Sequence, residues 1–268
     1  MPPGGDRGFA LLIVLWGIVL LAMLGTGITA SGRTDVQLAA NIRDAAEAEA
    51  AADGAVFAAA FRLLDPGRTW HTVAEPYTLD TGRARVTLEI SDDAGKINPN
   101  MASPELLRSL LLLLGTESTT AGRIADAIAD WRFPGTLPRQ NGAKAPQYRA
   151  AGLSYGPPNK PFESLNELGN VLGMTPVLLA RVVPHLSLYN DGPAVPAVAG
   201  DVVRRALRAT FGLSGMEVNT GPLRVVTITG TAETRTGGWF VRQVSVRFGS
   251  TARESLYEIL AWRSMAGS

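Results

Sequence analysis

Hydrophobicity is distributed along this chain in three unlike patterns. From Gly8 to Gly32 no residue carries a charge, and Phe9 to Ile28 is apolar or small throughout, with no polar face. At ~1.5 Å per residue, a segment of about twenty residues spans a ~30 Å hydrocarbon core. A buried core helix, a cleavable secretory signal and a retained membrane anchor compete for this segment. Its all-round apolarity at the N-terminus argues against the first. Against the second stands a run longer than the ~7–15 residues of a signal core, with no clean Ala-x-Ala site after it. Residues 33–64 are then dominated by Ala, with Val36, Ile42, Val56 and Leu63 among small residues and charges at other positions. Alanine is the best helix former, so the helix is predicted to continue until Asp65-Pro66-Gly67 stops it. A single helix from Phe9 to Leu64 would be ~84 Å long, and its lower half, with apolar and charged faces, must lie on a folded domain.

The second pattern has period two. Tyr77 to Asp80 and Arg83 to Ile90 flank Thr81-Gly82 as a hairpin, with Val86, Leu88 and Ile90 alternating against Arg85, Thr87 and Glu89. The same grammar returns near the C-terminus. Leu223 to Ala232 is rich in Val, Thr and Ile, Thr236-Gly237-Gly238 is a turn, and Phe240, Val244, Val246 and Phe248 share one face of the next run. Glu254 to Trp262 forms a last strand, with Tyr257 and Ile259 on one side and Leu256 and Leu260 on the other. These strands are expected to share one antiparallel sheet packed on the N-terminal helix.

Between them, Asn98 to Asn190 switches to helical spacing over Pro104–Leu114, Thr119–Trp131, Ser164–Leu172 and Pro176–Leu186. Ser103-Pro104-Glu105 is a strong helix start, Ser164 can cap the third segment and Gly173 can end it. Phe133 to Pro161, rich in Pro and Gly, is expected to be ordered by contacts or bound ions rather than by regular structure. A helical block between strands of one sheet reads as an insertion.

Composition narrows the chemistry. The 268 residues contain 46% hydrophobic and 18% charged positions, with 25 Lys+Arg against 24 Asp+Glu, so the chain is neither disordered nor a polyelectrolyte with a general affinity for nucleic acid. Charge is below the usual ~25% because one segment carries none. With no Cys there is no disulfide, thiolate nucleophile or Cys-based metal site.

A short basic leader ending in Arg7-Gly8, directly before Phe9 and an apolar helix, resembles the class III signal of type IV pilins and type II secretion pseudopilins. The resemblance implies cleavage between Gly8 and Phe9 by a prepilin peptidase on the cytoplasmic side and methylation of the new amino terminus of Phe9. Arg7 suits a leader held on that side. Most members of the family carry a glutamate at the fifth mature position, which here is Ile13. A carboxylate inside the bilayer is costly and is retained to pair with something, so a subunit without it lacks the contact that recruits it beneath a preceding subunit. Taken alone, Ile13 equally fits a lipid-facing residue of an ordinary anchor. The remaining motifs are more specific: Asp92-Asp93-Ala94-Gly95-Lys96-Ile97-Asn98-Pro99-Asn100, Asp130-Trp131, Asn141-Gly142-Ala143, Tyr148, Tyr155, Asn159-Lys160-Pro161-Phe162 and Glu167-Leu168-Gly169-Asn170-Val171-Leu172-Gly173. In this order they resemble the K subunit family of minor pseudopilins.

That resemblance implies an α+β fold, a pilin-like long N-terminal helix packed on an antiparallel sheet with an inserted all-helical (SAM-like) domain. The expected parts are a leader at 1–8, a transmembrane helix at 9–31, the pilin-like helix and first strands at 32–95, the inserted domain at 96–191, a linker or short helix at 192–221 and the C-terminal strands at 222–268. It implies a single-pass protein of the Gram-negative inner membrane with its bulk in the periplasm. There it would initiate or cap the pseudopilus beside the minor pseudopilins I and J, followed by H and the major pseudopilin G. It also implies calcium in the insertion, bound by carboxylates after the Asp-Trp pair and again before the tyrosine. Calcium takes six to eight oxygen ligands, and of the expected acids only Asp130 is present. Arg132, Phe133, Gly135 and Thr136 follow it, and Lys144 stands where an acid is expected.

Two other classes compete. The stretch from Lys96 to Ser103 before a Leu-rich helix resembles the opening of a helix-hairpin-helix module, which would make this a membrane-anchored nucleic-acid-binding protein. However, Leu113-Leu114-Gly115-Thr116-Glu117 has one glycine and an acid where a phosphate nest is needed. For an enzyme, His71 and His185 are the only histidines and no triad or metal cluster occurs at recognisable spacing. The expectation is therefore a protein with no catalytic residues.

Overall fold

The computed structural model describes residues 6–64, 76–212, 225–249 and 256–265, without the side chains of residues 6–8, 10, 22 and 24–35. The expected stop at Asp65-Pro66-Gly67, His71 and the first residues of two expected strands, Leu223-Arg224 and Glu254-Ser255, lie outside the described residues. One continuous helix, α1 (Asp6–Leu63), carries both the uncharged and the Ala-rich segments. The sheet has five strands, β1 (Tyr77–Asp80), β2 (Ala84–Asp92), β3 (Val225–Thr234), β4 (Trp239–Phe248) and β5 (Tyr257–Met265), paired antiparallel in chain order. The last strand thus runs beyond the expected Trp262, because its register follows β4 back to Val241.

The C-terminal half of α1 lies across the sheet. Ala48, Ala52, Ala55, Val56, Ala59, Ala60 and Leu63, at helical spacing, are buried against Val86, Leu88, Ile90, Val226, Ile228, Ala232, Val244 and Val246. Small residues let the helix come close, and β3 answers with Gly230. A Cβ there would stand 3.1 Å from Val56 Cγ2 and 3.4 Å from the Ala52 carbonyl oxygen. In the β3–β4 turn, a Cβ at Gly238 would meet the Asp44 carbonyl oxygen at 2.8 Å. These two approaches fix polarity: β3 begins near the C-terminal end of α1 and runs back along it. Because Asp92 pairs with Val226, the chain leaves β2 and returns to β3 at the end of the sheet farthest from Phe9.

One inward position of β4 is charged. Arg242, 6% exposed, lies on the helix-facing side between Phe240 and Val244. Its Nε donates to Asp53 Oδ1 at 2.6 Å, a terminal nitrogen donates to Glu49 Oε1 at 2.6 Å, and the guanidinium sits 4.7 Å and 5.1 Å from the Phe240 and Trp262 ring centres. Glu49 and Asp53 are one helical turn apart on α1, so a single fork clamps helix to sheet. Trp262 closes the side of the site against Phe57, with centroids 5.2 Å apart.

The insertion between β2 and β3 is all helical: α2 (Pro104–Leu113), α3 (Ser118–Arg132), α4 (Ala145–Ala150), α5 (Pro176–Val182) and α6 (Asp201–Phe211), with 3-10 turns at Asp93–Gly95, Leu165–Asn170 and Val183–His185. Starts expected from sequence are capped as expected. Ser103 Oγ accepts the Leu106 N–H at 3.2 Å ahead of Pro104, and Ser164 with Glu167 forms a capping box for the turn at Leu165–Asn170. That segment is a 3-10 turn rather than the expected helix to Leu172. The 133–161 connection, expected without regular structure, contains α4, whose Tyr148 is fully buried.

The domain boundary at 191 also requires correction. The insertion has its own core, separate from that under the sheet, and this core includes Ala194, Ala199, Val203, Ala206 and Leu207. Thus α6 is part of the insertion rather than a linker element. It packs on α2, where the Thr210 hydroxyl donates to Ser109 Oγ at 2.9 Å. The Pro- and Ala-rich run Gly192–Gly200 crosses the neck, and the Val195 N–H donates to the Ala94 carbonyl at 2.7 Å. At that neck, buried Asp93 receives Lys96 Nζ at 2.7 Å, the Thr227 hydroxyl of β3 at 2.8 Å and the Ser187 hydroxyl at 2.7 Å. One carboxylate therefore joins sheet and insertion.

Arg242→Ala is expected to lower stability by about 2 kcal/mol, since it removes the charge-assisted bonds to Glu49 and Asp53 together with the packing of the guanidinium on Phe240 and Trp262. Urea unfolding of the detergent-solubilised protein checks this; an unchanged midpoint would mean that the clamp contributes nothing.

Candidate functional site

The residues singled out in the sequence fall into two separate places. Gly8 and Phe9 lie in the first turns of α1, and Phe9 is 69% exposed. Ile13 is exposed with its neighbours Leu11, Leu12, Val14, Leu15 and Trp16, a surface that the other described residues leave uncovered. Among the described residues no helix is long and apolar enough to cross a membrane, and the side chains of 24–35, which complete the uncharged run, are not among them.

The second place is the interior of the insertion, where the scattered motifs converge. Trp131 stacks on Phe162, with centroids 5.9 Å apart and planes within 4°, and lies 6.2 Å from Tyr148, whose ring meets Tyr155 edge-on at 5.8 Å. The Tyr148 hydroxyl accepts the Leu172 N–H at 2.9 Å, and burial pushes its pKa up to about 12. Asn100 binds the Phe162 backbone twice, at 2.9 and 2.8 Å, while Arg132 donates to the Pro99 and Ala102 carbonyls, both at 2.6 Å. These motif residues build the domain rather than a reactive centre.

Asp130, the calcium candidate, is 3% exposed near the end of α3. Its Oδ2 accepts the Arg139 N–H at 3.0 Å, the Arg139 Nε stands 3.9 Å from Oδ1, and the carboxylate packs against Gly142, where a Cβ would collide with it. Beside it lies a group the sequence reading treated only as an obstacle to a metal. Lys144, also 3% exposed, points its ammonium inward and donates to the Asp130 carbonyl at 2.5 Å, the Phe133 carbonyl at 2.7 Å and Asn159 Oδ1 at 2.6 Å. Asn159 is the described non-glycine residue with positive φ, at 58°, a conformation asparagine tolerates better than most. Burial lowers the Lys144 pKa, and Asp130 opposes that shift.

The donor set therefore does not fit calcium. One carboxylate already bonded to the loop, with a lysine and an arginine beside it, cannot supply the several acidic oxygens such a site requires. Among the described residues no group of three His, Asp or Glu side chains converges. Arg242 and its acidic partners were also missed, although a charge at an inward strand position and two acids four residues apart on α1 were the available signal.

The helix-hairpin-helix alternative is not supported. The amides at the start of α3, which would have to receive a phosphate, are occupied by Glu117, whose carboxylate accepts the Thr119 and Thr120 N–H groups at 2.9 and 3.0 Å. These bonds and that from the Thr119 hydroxyl hold its pKa down to about 2. His185, half-buried at a 3-10 turn, joins the fold through its backbone carbonyl, which accepts the Ile97 N–H at 3.0 Å.

Comparison with known proteins agrees with this arrangement. Residues 86–191 match the family model for protein K of the type II secretion system. The chain is 28% identical to type II secretion system protein K of Klebsiella pneumoniae over 209 residues, covering 69% of this chain and 64% of that protein. It is 27% identical to the Pectobacterium carotovorum subsp. carotovorum protein K over 207 residues, covering 68% and 62%. The match thus spans slightly under two thirds of these relatives' lengths. Among solved structures, a chain from the GspK–GspI–GspJ complex of the enterotoxigenic Escherichia coli type 2 secretion system superposes with a TM-score of 0.58 at 13% identity, covering 88% of this chain and 99% of that one. With its insertion alike in sequence and its helix-and-sheet frame alike in fold, the chain is similar to protein K of the type II secretion system.

Proposed function

We propose that this protein is a minor pseudopilin at the tip of the periplasmic pseudopilus, where it initiates or caps assembly for protein secretion across the outer membrane. The observation that carries the reading is the placement of the insertion. It leaves and rejoins the sheet at the end farthest from Phe9, and its bulk lies between β2 and β3. A subunit carrying such a domain at its distal end has room above a filament and would crowd neighbours stacked above it anywhere lower.

The N-terminal part of α1 supplies the other half of the proposal. Its exposed apolar side chains suit a helix held in the inner membrane before assembly and packed among other pseudopilin helices afterwards. Ile13, in place of the acid that would recruit the subunit beneath another, suits a first position. The solved relative forms a complex named for GspK, GspI and GspJ. By extension, the expected partners here are minor pseudopilins I and J, followed by H and the major pseudopilin G. The role is mechanical rather than catalytic.

Two outcomes test the proposal. The full-length protein, co-expressed with candidate minor pseudopilins I and J and extracted in detergent, is expected to co-purify with both; purification without either would remove the tip assignment. Gly8→Val, co-expressed with prepilin peptidase, is expected to remain at precursor mass in the membrane fraction, whereas the parent is shortened by its leader. Equal shortening of both by mass spectrometry would show that Gly8-Phe9 is not the processing site.

A further inference from the structure

The interior of the insertion holds a cation of its own. Lys144 Nζ has three oxygen acceptors within 2.7 Å: two backbone carbonyls and one side-chain amide oxygen. None of these oxygens can donate, so satisfying all three requires three N–H bonds, which only the ammonium form provides. The acceptors come from two separate stretches of the chain, the end of α3 and the far side of the 133–161 connection. Asp130 belongs to α3, Phe133 follows its end, and Asn159 lies at the far side of the Pro- and Gly-rich connection. Lys144 itself sits at the start of α4, where its N–H donates to Gln147 Oε1 at 3.0 Å. A buried positive charge collecting carbonyl and amide oxygens from distant segments is the arrangement by which a bound metal ion orders a loop.

We propose that the Lys144 ammonium is the built-in cation of this insertion, closing the 133–161 connection so that the domain holds its shape without a divalent metal. Two features of the surroundings agree. Asn159 adopts the left-handed conformation that aims its amide oxygen at the ammonium, a backbone cost that the three-way contact offsets. Asp130, the one acid left from the expected metal set, turns its carboxylate to the Arg139 N–H and guanidinium and offers the lysine its carbonyl instead. A dication placed here would face the Lys144 and Arg139 charges at short range. The inference rests on this geometry and is independent of the tip assignment.

The test uses the full-length protein in detergent, with melting temperature and limited proteolysis as readouts. For the parent, 5 mM calcium chloride or 5 mM EDTA is expected to leave both unchanged; these concentrations are the conditions chosen, of about the scale at which weak calcium sites fill. Lys144→Met, close in volume and without charge, is expected to melt about 5 °C lower and to be cut between residues 133 and 161. Asn159→Gly keeps the left-handed backbone and removes one acceptor, so a smaller fall is expected, again insensitive to calcium. If Lys144→Met proves too unstable to purify, Asn159→Gly still decides the matter. A parent stabilised by calcium or destabilised by EDTA overturns the proposal, as does either variant with unchanged melting temperature and protease resistance.

Discussion

The close approach of α1 to β3 is the contact on which the rest of this molecule depends. An alanine face on the helix meets a glycine in the strand, and at Gly230 there is no room for even a methyl group without displacing Val56. Close packing sets the helix height and, through the antiparallel meander, the direction in which every strand runs. It also sets which end of the sheet carries the insertion. The Arg242 fork then fixes registry along the same contact, since it engages Glu49 and Asp53 while its faces rest on Phe240 and Trp262. Hydrophobic packing tolerates small slides of one element along another; two acids on consecutive turns gripped by one planar cation tolerate them much less.

The contrast between the two halves of α1 follows from what each half meets. Among the described side chains of α1, buried positions begin at Ala48, and those from Phe9 to Met23 remain exposed. The chain therefore offers one apolar surface to itself and another to something else. A solvent-facing role for the second would be costly, with Trp16, Leu11 and Leu21 each largely uncovered, so lipid or neighbouring helices are the environments its chemistry suits.

The long helix, the hairpin, the return of the strands and the insertion between them were legible because their periods differ and their ends are punctuated, as at Ser103-Pro104 and Thr236-Gly237-Gly238. What escaped was information that only tertiary contact supplies. Alpha-helix α6 has a good apolar stripe in Val203, Ala206 and Leu207, yet the proline-rich run before it reads as a linker until Val195 is seen bonded to Ala94. Residues 145–150 are too short to register as a helix and are fixed by burial of Tyr148. Lys144 was visible as a missing acid, but sequence alone could not show that its ammonium would face three oxygens. Similarly, Asp93 stood in a recognisable motif while its partners Thr227 and Ser187 lay far away in the chain.

The register pair Asp92 and Val226 has a consequence for how such a molecule could arise. The insertion begins and ends on adjacent strands directly opposite one another, the place where a simple meander would need only a tight turn. Its core is separate from the one beneath the sheet, and the neck between them is largely polar. In topological terms the helical domain is an enlarged hairpin loop. Its sequence can drift or acquire a new surface while the helix-and-sheet frame below keeps its own packing.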